Sequence, residues 1–131
     1  MSNLHLLQPT EPAPDAFIAA CPSRGLIARL GEKWALLAII ALADEPVRFG
    51  ALKRRLEGIS AKMLGQTLRI LERDGLVSRS VLATRPIAVD YRLTRRGEDL
   101  LPLARSLKRW AETHLADIEA DNRRYDEREA N

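Results

Sequence analysis

Between one amphipathic stretch and the next, the chain has only Gly58, Ile59 and Ser60 in which to reverse direction. Ahead of this turn, Phe49, Leu52 and Leu56 recur at helical spacing, with Lys53, Arg54 and Arg55 directed outward. Gly58 stops that helix, and Ser60 is the residue type that caps the start of another. A pair of helices joined by so short a glycine-containing turn is a helix-turn-helix. Few folds accommodate it, because the two helices must cross steeply and share one core.

The second helix, in AKMLGQTLRILERDG, separates its chemistry by face. On a 3.6-residue period Leu64, Leu68 and Leu71 form one ridge. Lys62, Gln66, Arg69 and Arg73 fall in a sector of about 60° opposite. Gln matches the edge of adenine, and Arg or Lys that of guanine, in the major groove. The leading part of such a helix meets base edges. Lys62 and Gln66 are therefore assigned to base readout, with Met63 or Thr67 adding contact to a thymine methyl. Ser60, Arg69 and Arg73 are assigned to phosphates. The plain alternative is an ordinary amphipathic surface helix, which also turns polar groups outward. Glu72 and Asp74 near the helix end fit a helix whose front half alone enters the groove. Gly65 interrupts the helix at a cost of roughly 1 kcal/mol relative to Ala.

The remaining elements follow from period and punctuation. Residues 1–15, with Pro9, Pro12 and Pro14, read as a flexible arm. Pro22 suits a first helical position with Cys21 ahead of it. Leu26, Ile27 and Leu30 give a short amphipathic helix ending at Gly31. Residues 33–43 are apolar almost all round and predict a buried central helix, broken over 44–46. Val47–Phe49 fits a short strand. After Gly75 the period falls to two, over 76–82 and 89–93, around the tip ATRPIA with Arg85. This is a two-stranded hairpin with a basic tip. Thr94 then caps a long final helix in which Leu100, Leu103, Leu107, Trp110, His114 and Ile118 make a near-heptad seam. Residues 123–131 form a charged tail expected to fray. The chain thus reads as a mainly α domain over 16–122 with a small β-hairpin wing.

Charge is unevenly placed. Residues 48–96 carry twelve Lys and Arg against four acids, whereas the segments before and after are net acidic. A basic centre between acidic flanks fits a surface that meets a polyanion. Arg85 would enter the minor groove or grip its phosphates. Lys53, Arg54, Arg55, Arg92, Arg95 and Arg96 are further phosphate candidates. One cysteine excludes an intrachain disulfide framework, and with two separated histidines no metal-ligand cluster is spelled out. No Ser/His/Asp set or glycine-rich phosphate loop indicates an enzyme, and no cofactor is implied. The start lacks the pattern of a signal peptide. The longest apolar run, 34–43, is too short to span a bilayer of about 30 Å. A cytoplasmic protein is expected. A seam with Trp110 and leucines on the last helix has no obvious partner in so small a head, so packing across a two-fold axis is expected; packing within the subunit is the alternative. His114 reads as an interface histidine rather than a ligand.

CPSRGLIARLGEKWALLAIIAL, RFGALKRRLEGISAKMLGQTLRILERDGLVSR and VDYRLTRRGEDLLPLARSLKRWAETH together resemble the HxlR-type winged helix-turn-helix transcriptional regulators, over about residues 21–115. The resemblance implies a cytoplasmic homodimer held by its first and last helices (Leu103, Leu107, Trp110, His114 and Ile118 in this chain). It implies binding to double-stranded DNA at an inverted-repeat operator, usually as a repressor. It also makes Cys21 a candidate redox or electrophile sensor, since several such proteins sense through the matching cysteine. A small-molecule or oxidant effector is then a possible partner. The residue itself gives partial support: a helix N-terminus favours thiolate, and Arg24 lies one turn on. The competing reading is a small, buried, inert thiol. At the level of the whole protein, the alternative is a winged-helix module that binds protein rather than DNA. Such a module would more often expose apolar groups where this one exposes cations.

Overall fold

The computed structural model describes residues 12–131. Most of the arm expected over 1–15 lies outside the described residues. The described residues divide into two compact units, the first ending at residue 32 and the second running over 33–131. In the first, Ile18 N–H donates to Asp15 O and Cys21 N–H to Ile18 O, each at 3.0 Å, winding the chain into turns ahead of helix α1 (Pro22–Leu30). Cys21 takes the extended N-cap conformation, and Pro22 follows, where its missing N–H leaves no helical bond unmade. Gly31 closes the helix, its N–H donating to Ile27 O at 2.8 Å. None of the residues of α1 is buried.

The second unit runs α2 (Lys33–Ala41), β1 (Val47–Arg48), α3 (Phe49–Arg55), α4 (Ala61–Arg73), β2 (Val77–Leu82), β3 (Ala88–Leu93) and α5 (Arg95–Ala130). Helix α2 packs against α3, α4 and α5, which is why it is apolar on most of its faces. Ile39 and Leu42 of this segment meet Leu52, Leu64, Leu68, Leu71 and Val77 as the largest fully buried side chains. The α4 ridge read from the sequence is thus the core face of that helix. Burying each such side chain is worth roughly 1.5–3 kcal/mol. Gly58 and Gly75, at φ of 94° and 77°, occupy the left-handed region at the two corners that bracket α4.

Two expectations are modified. The wing is a three-stranded sheet in the order β1-β3-β2 rather than a two-stranded hairpin. Val47 pairs with Tyr91 and Arg48 with Asp90, while the hairpin runs from Val77↔Leu93 to Leu82↔Ala88. Two residues of β1 suffice to anchor the wing to the start of α3. The tail expected to fray over 123–131 instead continues α5 to Ala130. Local pairs support it: Arg124 with Asp121, and the Arg128 guanidinium over the Tyr125 ring. At 36 residues α5 is about 54 Å long.

Candidate nucleic-acid interface

The turn and α4 form as the sequence requires. The Ser60 hydroxyl accepts the Met63 N–H at 3.0 Å, satisfying one of the four donors that a helix start leaves open. Its own hydrogen remains available to an anion. Lys62, Met63, Gln66, Arg69 and Arg73 are all exposed. Thr67 is not: it is 5% exposed, packed on the ridge side one turn from Leu64 and Leu71, and it drops out of the base-reading set. Ile70, 43% exposed and two turns after Met63, belongs to the same outer surface and escaped sequence reasoning. An apolar residue at that spacing reads as core until the position of the ridge is known.

The flanking cations differ in what the fold explains. Lys53, Arg54 and Arg55 are exposed in the last turn of α3, and Arg73 ends α4. A helix C-terminus favours cations, so these positions have a structural reason as well. Arg95 and Arg96 are exposed at the start of α5, the positive end of the helix dipole. That placement is unfavourable unless an anion joins it. Arg92 is exposed on β3, and Arg85 is exposed at the wing tip, where the Thr84 hydroxyl donates to Pro86 O at 2.8 Å and braces the turn. Between α4 and the sheet lies a notch of about 460 Å³ lined by Gly65, Arg69, Glu72, Arg79 and Tyr91. Arg79 is one of the twelve cations of the basic centre, and nothing in its sequence position distinguishes it from the others.

On α5, Leu103, Leu107, Trp110 and Ile118 are 68%, 50%, 56% and 39% exposed, so no element of this unit covers the seam. His114 is half-buried, its ring centroid 4.5 Å from that of Trp110. Among the described residues no group of His, Cys, Asp and Glu is placed to hold a metal ion, and no helix is long and apolar enough to cross a membrane.

Within the first unit, Cys21 is half-buried and free. The Ser23 hydroxyl lies 3.1 Å from its sulfur and the Asp15 N–H donates to it at 3.3 Å. The Ser23 hydroxyl, then the Ser23 and Asp15 backbone N–H groups, hold the thiol below its ordinary range; slight desolvation pulls weakly the other way. Arg24, expected to assist, is engaged elsewhere: its guanidinium donates to the carbonyls of Ala16 and Phe17, each at 3.0 Å. The polarising groups are therefore neutral donors. Ser23 stands two residues away in the sequence and Asp15 is brought back by the turn.

A family profile described as HxlR-like helix-turn-helix matches residues 29–119. The chain is 35% identical over 118 residues to the HTH-type transcriptional regulator YtfH of Escherichia coli K12, covering 90% of this chain and 93% of that one. Among solved structures, the regulator ytfH of Salmonella typhimurium superposes with a TM-score of 0.79 at 34% identity, over 84% of this chain and 98% of the other. The oxidized form of the redox regulator HypR gives 0.66 at 34% identity, over 71% and 96%. With the capped α4, its outward cations and the three-stranded wing, these likenesses settle the assignment: the chain belongs to the HxlR-like family of DNA-binding helix-turn-helix transcriptional regulators.

Proposed function

We propose that the protein is a homodimeric repressor that places α4 of each subunit in the major groove of an inverted-repeat operator. The observation that carries this reading is the exposed set Lys62, Gln66, Arg69 and Arg73 on a helix whose other face is locked into the core. Lys62 and Gln66, in its first two turns, read base edges; Met63 supplies an apolar contact. Ser60, Arg69, Arg73 and the cations of α3, β3 and α5 hold phosphates and set register, and Arg85 reaches the neighbouring minor groove. The exposed α5 seam joins the subunits. Repression follows by occlusion of the operator.

The test is titration of fluorescent duplexes at several salt concentrations, with an operator selected from a random pool. Affinity for random duplex should fall on a log–log plot with a slope of about −0.9 per phosphate contact. Gln66→Ala should lose roughly 1–3 kcal/mol on the operator and relax preference at one base pair, whereas Arg85→Ala should weaken all sequences by similar factors. Unchanged base preference in Gln66→Ala would remove it from the reading set.

We also propose that Cys21 senses oxidants or electrophiles. A sulfur that accepts hydrogen bonds at a helix N-terminus is prepared as thiolate, and a redox regulator stands among the structural neighbours. Alkylation by iodoacetamide should reach half its limiting rate at a lower pH than free cysteine does. Ser23→Ala should move that midpoint upward, because it removes the largest contribution to the lowered pKa. A midpoint indistinguishable from that of free cysteine ends the thiolate argument; a Cys21→Ser protein that responds to diamide as the wild type does ends the sensor argument.

A further inference from the structure

Two arginines line the notch between α4 and the wing, and a carboxylate, Glu72, shares its wall. The walls are Phe49, Gly65, Arg69 and Glu72 on one side and Arg79 and Tyr91 on the other. Arg79 and Tyr91 are direct partners across β2 and β3, so their side chains leave the sheet on the same face. Gly65 is not required by packing or by its backbone: a Cβ there would meet only the Arg69 guanidinium, at 3.4 Å. The Arg69 guanidinium folds back over the Gly65 Cα at the mouth of the notch. Arg79 meets Glu72 only loosely, N···O 3.9 Å, with both side chains substantially exposed. Such a pair holds its partners weakly.

We infer that this notch seats one phosphate of the duplex backbone, held by Arg69 and Arg79 over Gly65, and that Glu72 is its placeholder in the free protein. The inference rests on the DNA-binding reading above and adds residues to it. A backbone strand that borders the major groove must pass between a helix lying in that groove and a wing reaching for the next one. In free protein Glu72 offsets the repulsion between two guanidinium groups. In the complex a phosphodiester takes over that role and bridges them, with bidentate geometry open to either arginine. Glu72 thereby subtracts from affinity for every sequence alike.

The experiment measures salt-dependent binding of a random-sequence duplex by wild type, Arg79→Ala, Glu72→Gln, Gly65→Leu and, as a cation outside the notch, Arg73→Ala. Arg79→Ala should reduce the steepness of the log–log slope by about 0.9, equivalent to roughly an eightfold loss at 0.1 M salt. Glu72→Gln should tighten binding roughly two- to fivefold. Gly65→Leu, a better helix former than glycine, should keep or raise the melting temperature yet lose affinity as Arg79→Ala does, because it displaces Arg69. An unchanged slope in Arg79→Ala beside a reduced one in Arg73→Ala overturns the notch while leaving DNA binding intact. A wild-type protein with no salt-dependent attraction to duplex overturns the underlying reading instead. Inorganic phosphate distinguishes the other source of the same chemistry. If it raises the melting temperature of wild type but not of Arg79→Ala, and both bind duplex with equal slopes, the seat takes a free phosphorylated molecule and the inference fails.

Discussion

Replacing Gly97 by alanine is expected to destabilise the protein by roughly 2–4 kcal/mol, although the same replacement in an open helix position stabilises. Gly97 lies in the first turn of α5, where the Thr94 hydroxyl accepts its N–H at 3.2 Å and donates to Gly75 O at 2.6 Å. Thr94 N–H in turn donates to Leu76 O at 3.0 Å. These bonds draw the start of α5 onto the corner where α4 gives way to β2. A Cβ on residue 97 would run into that same Leu76 carbonyl oxygen, with Leu93 Cδ2 3.2 Å away. A backbone carbonyl that already accepts the Thr94 N–H cannot rotate aside as a side-chain tip can. Either α5 lifts and loses the Thr94 cap, or the sheet shifts. Thermal melting should show a drop of roughly 8 °C or more. Gly65→Ala, where an added methyl group meets only the Arg69 guanidinium, supplies the opposite sign as a control. Equal effects at the two positions would show that crowding at Leu76 is relieved cheaply.

This corner also shows what was legible in the sequence. Thr94 was visible as a cap, but the reason for a glycine at position 97 was not. It lies in a contact between residues separated by more than twenty positions, which neither period nor propensity encodes. Helices and ridges were legible because each repeats over several turns: Leu64, Leu68 and Leu71 identify the core face of α4 without any knowledge of what they touch. Thr67, assigned a thymine-methyl contact, instead lies one turn from two of those leucines and is buried with them. Ile70 is the converse, an apolar residue on the outer face. The pairing of β1 could not be read from a two-residue strand, since its only distinguishing property is where it ends up. Arg79 was obscured by the number of other cations. What selects it is the notch, a product of tertiary structure. Around Cys21 the helix start was plain, while the donors at the sulfur depended on a turn that brings Asp15 back.

Trp110→Asp is expected to convert a dimer to a monomer and to lower affinity for a two-site operator roughly 100-fold or more, while changing affinity for a single half-site little. In one subunit Leu103, Leu107, Trp110 and Ile118 face water along a helix about 54 Å long. The core contact of α5 is made through Ala104, which is fully buried, and Trp110 projects about 120° round the helix from it. The substitution therefore leaves the subunit's interior untouched, and circular dichroism should show an unchanged helix content. Across a two-fold axis each contact occurs twice, so one substitution inserts two carboxylates into the same apolar seam. Taking two carboxylates out of water in this seam, close to each other across the axis, is among the most disruptive changes available to an interface. The loss on DNA is then larger than any single contact explains: with two heads joined, binding of the second half-site is intramolecular, and the gain of roughly 10²–10⁴ from that linkage disappears. Sedimentation alongside binding to one-site and two-site duplexes separates the possibilities. A Trp110→Asp protein that still sediments as a dimer would move the subunit interface off α5. A monomer that binds the two-site duplex as well as wild type would show that the heads act independently.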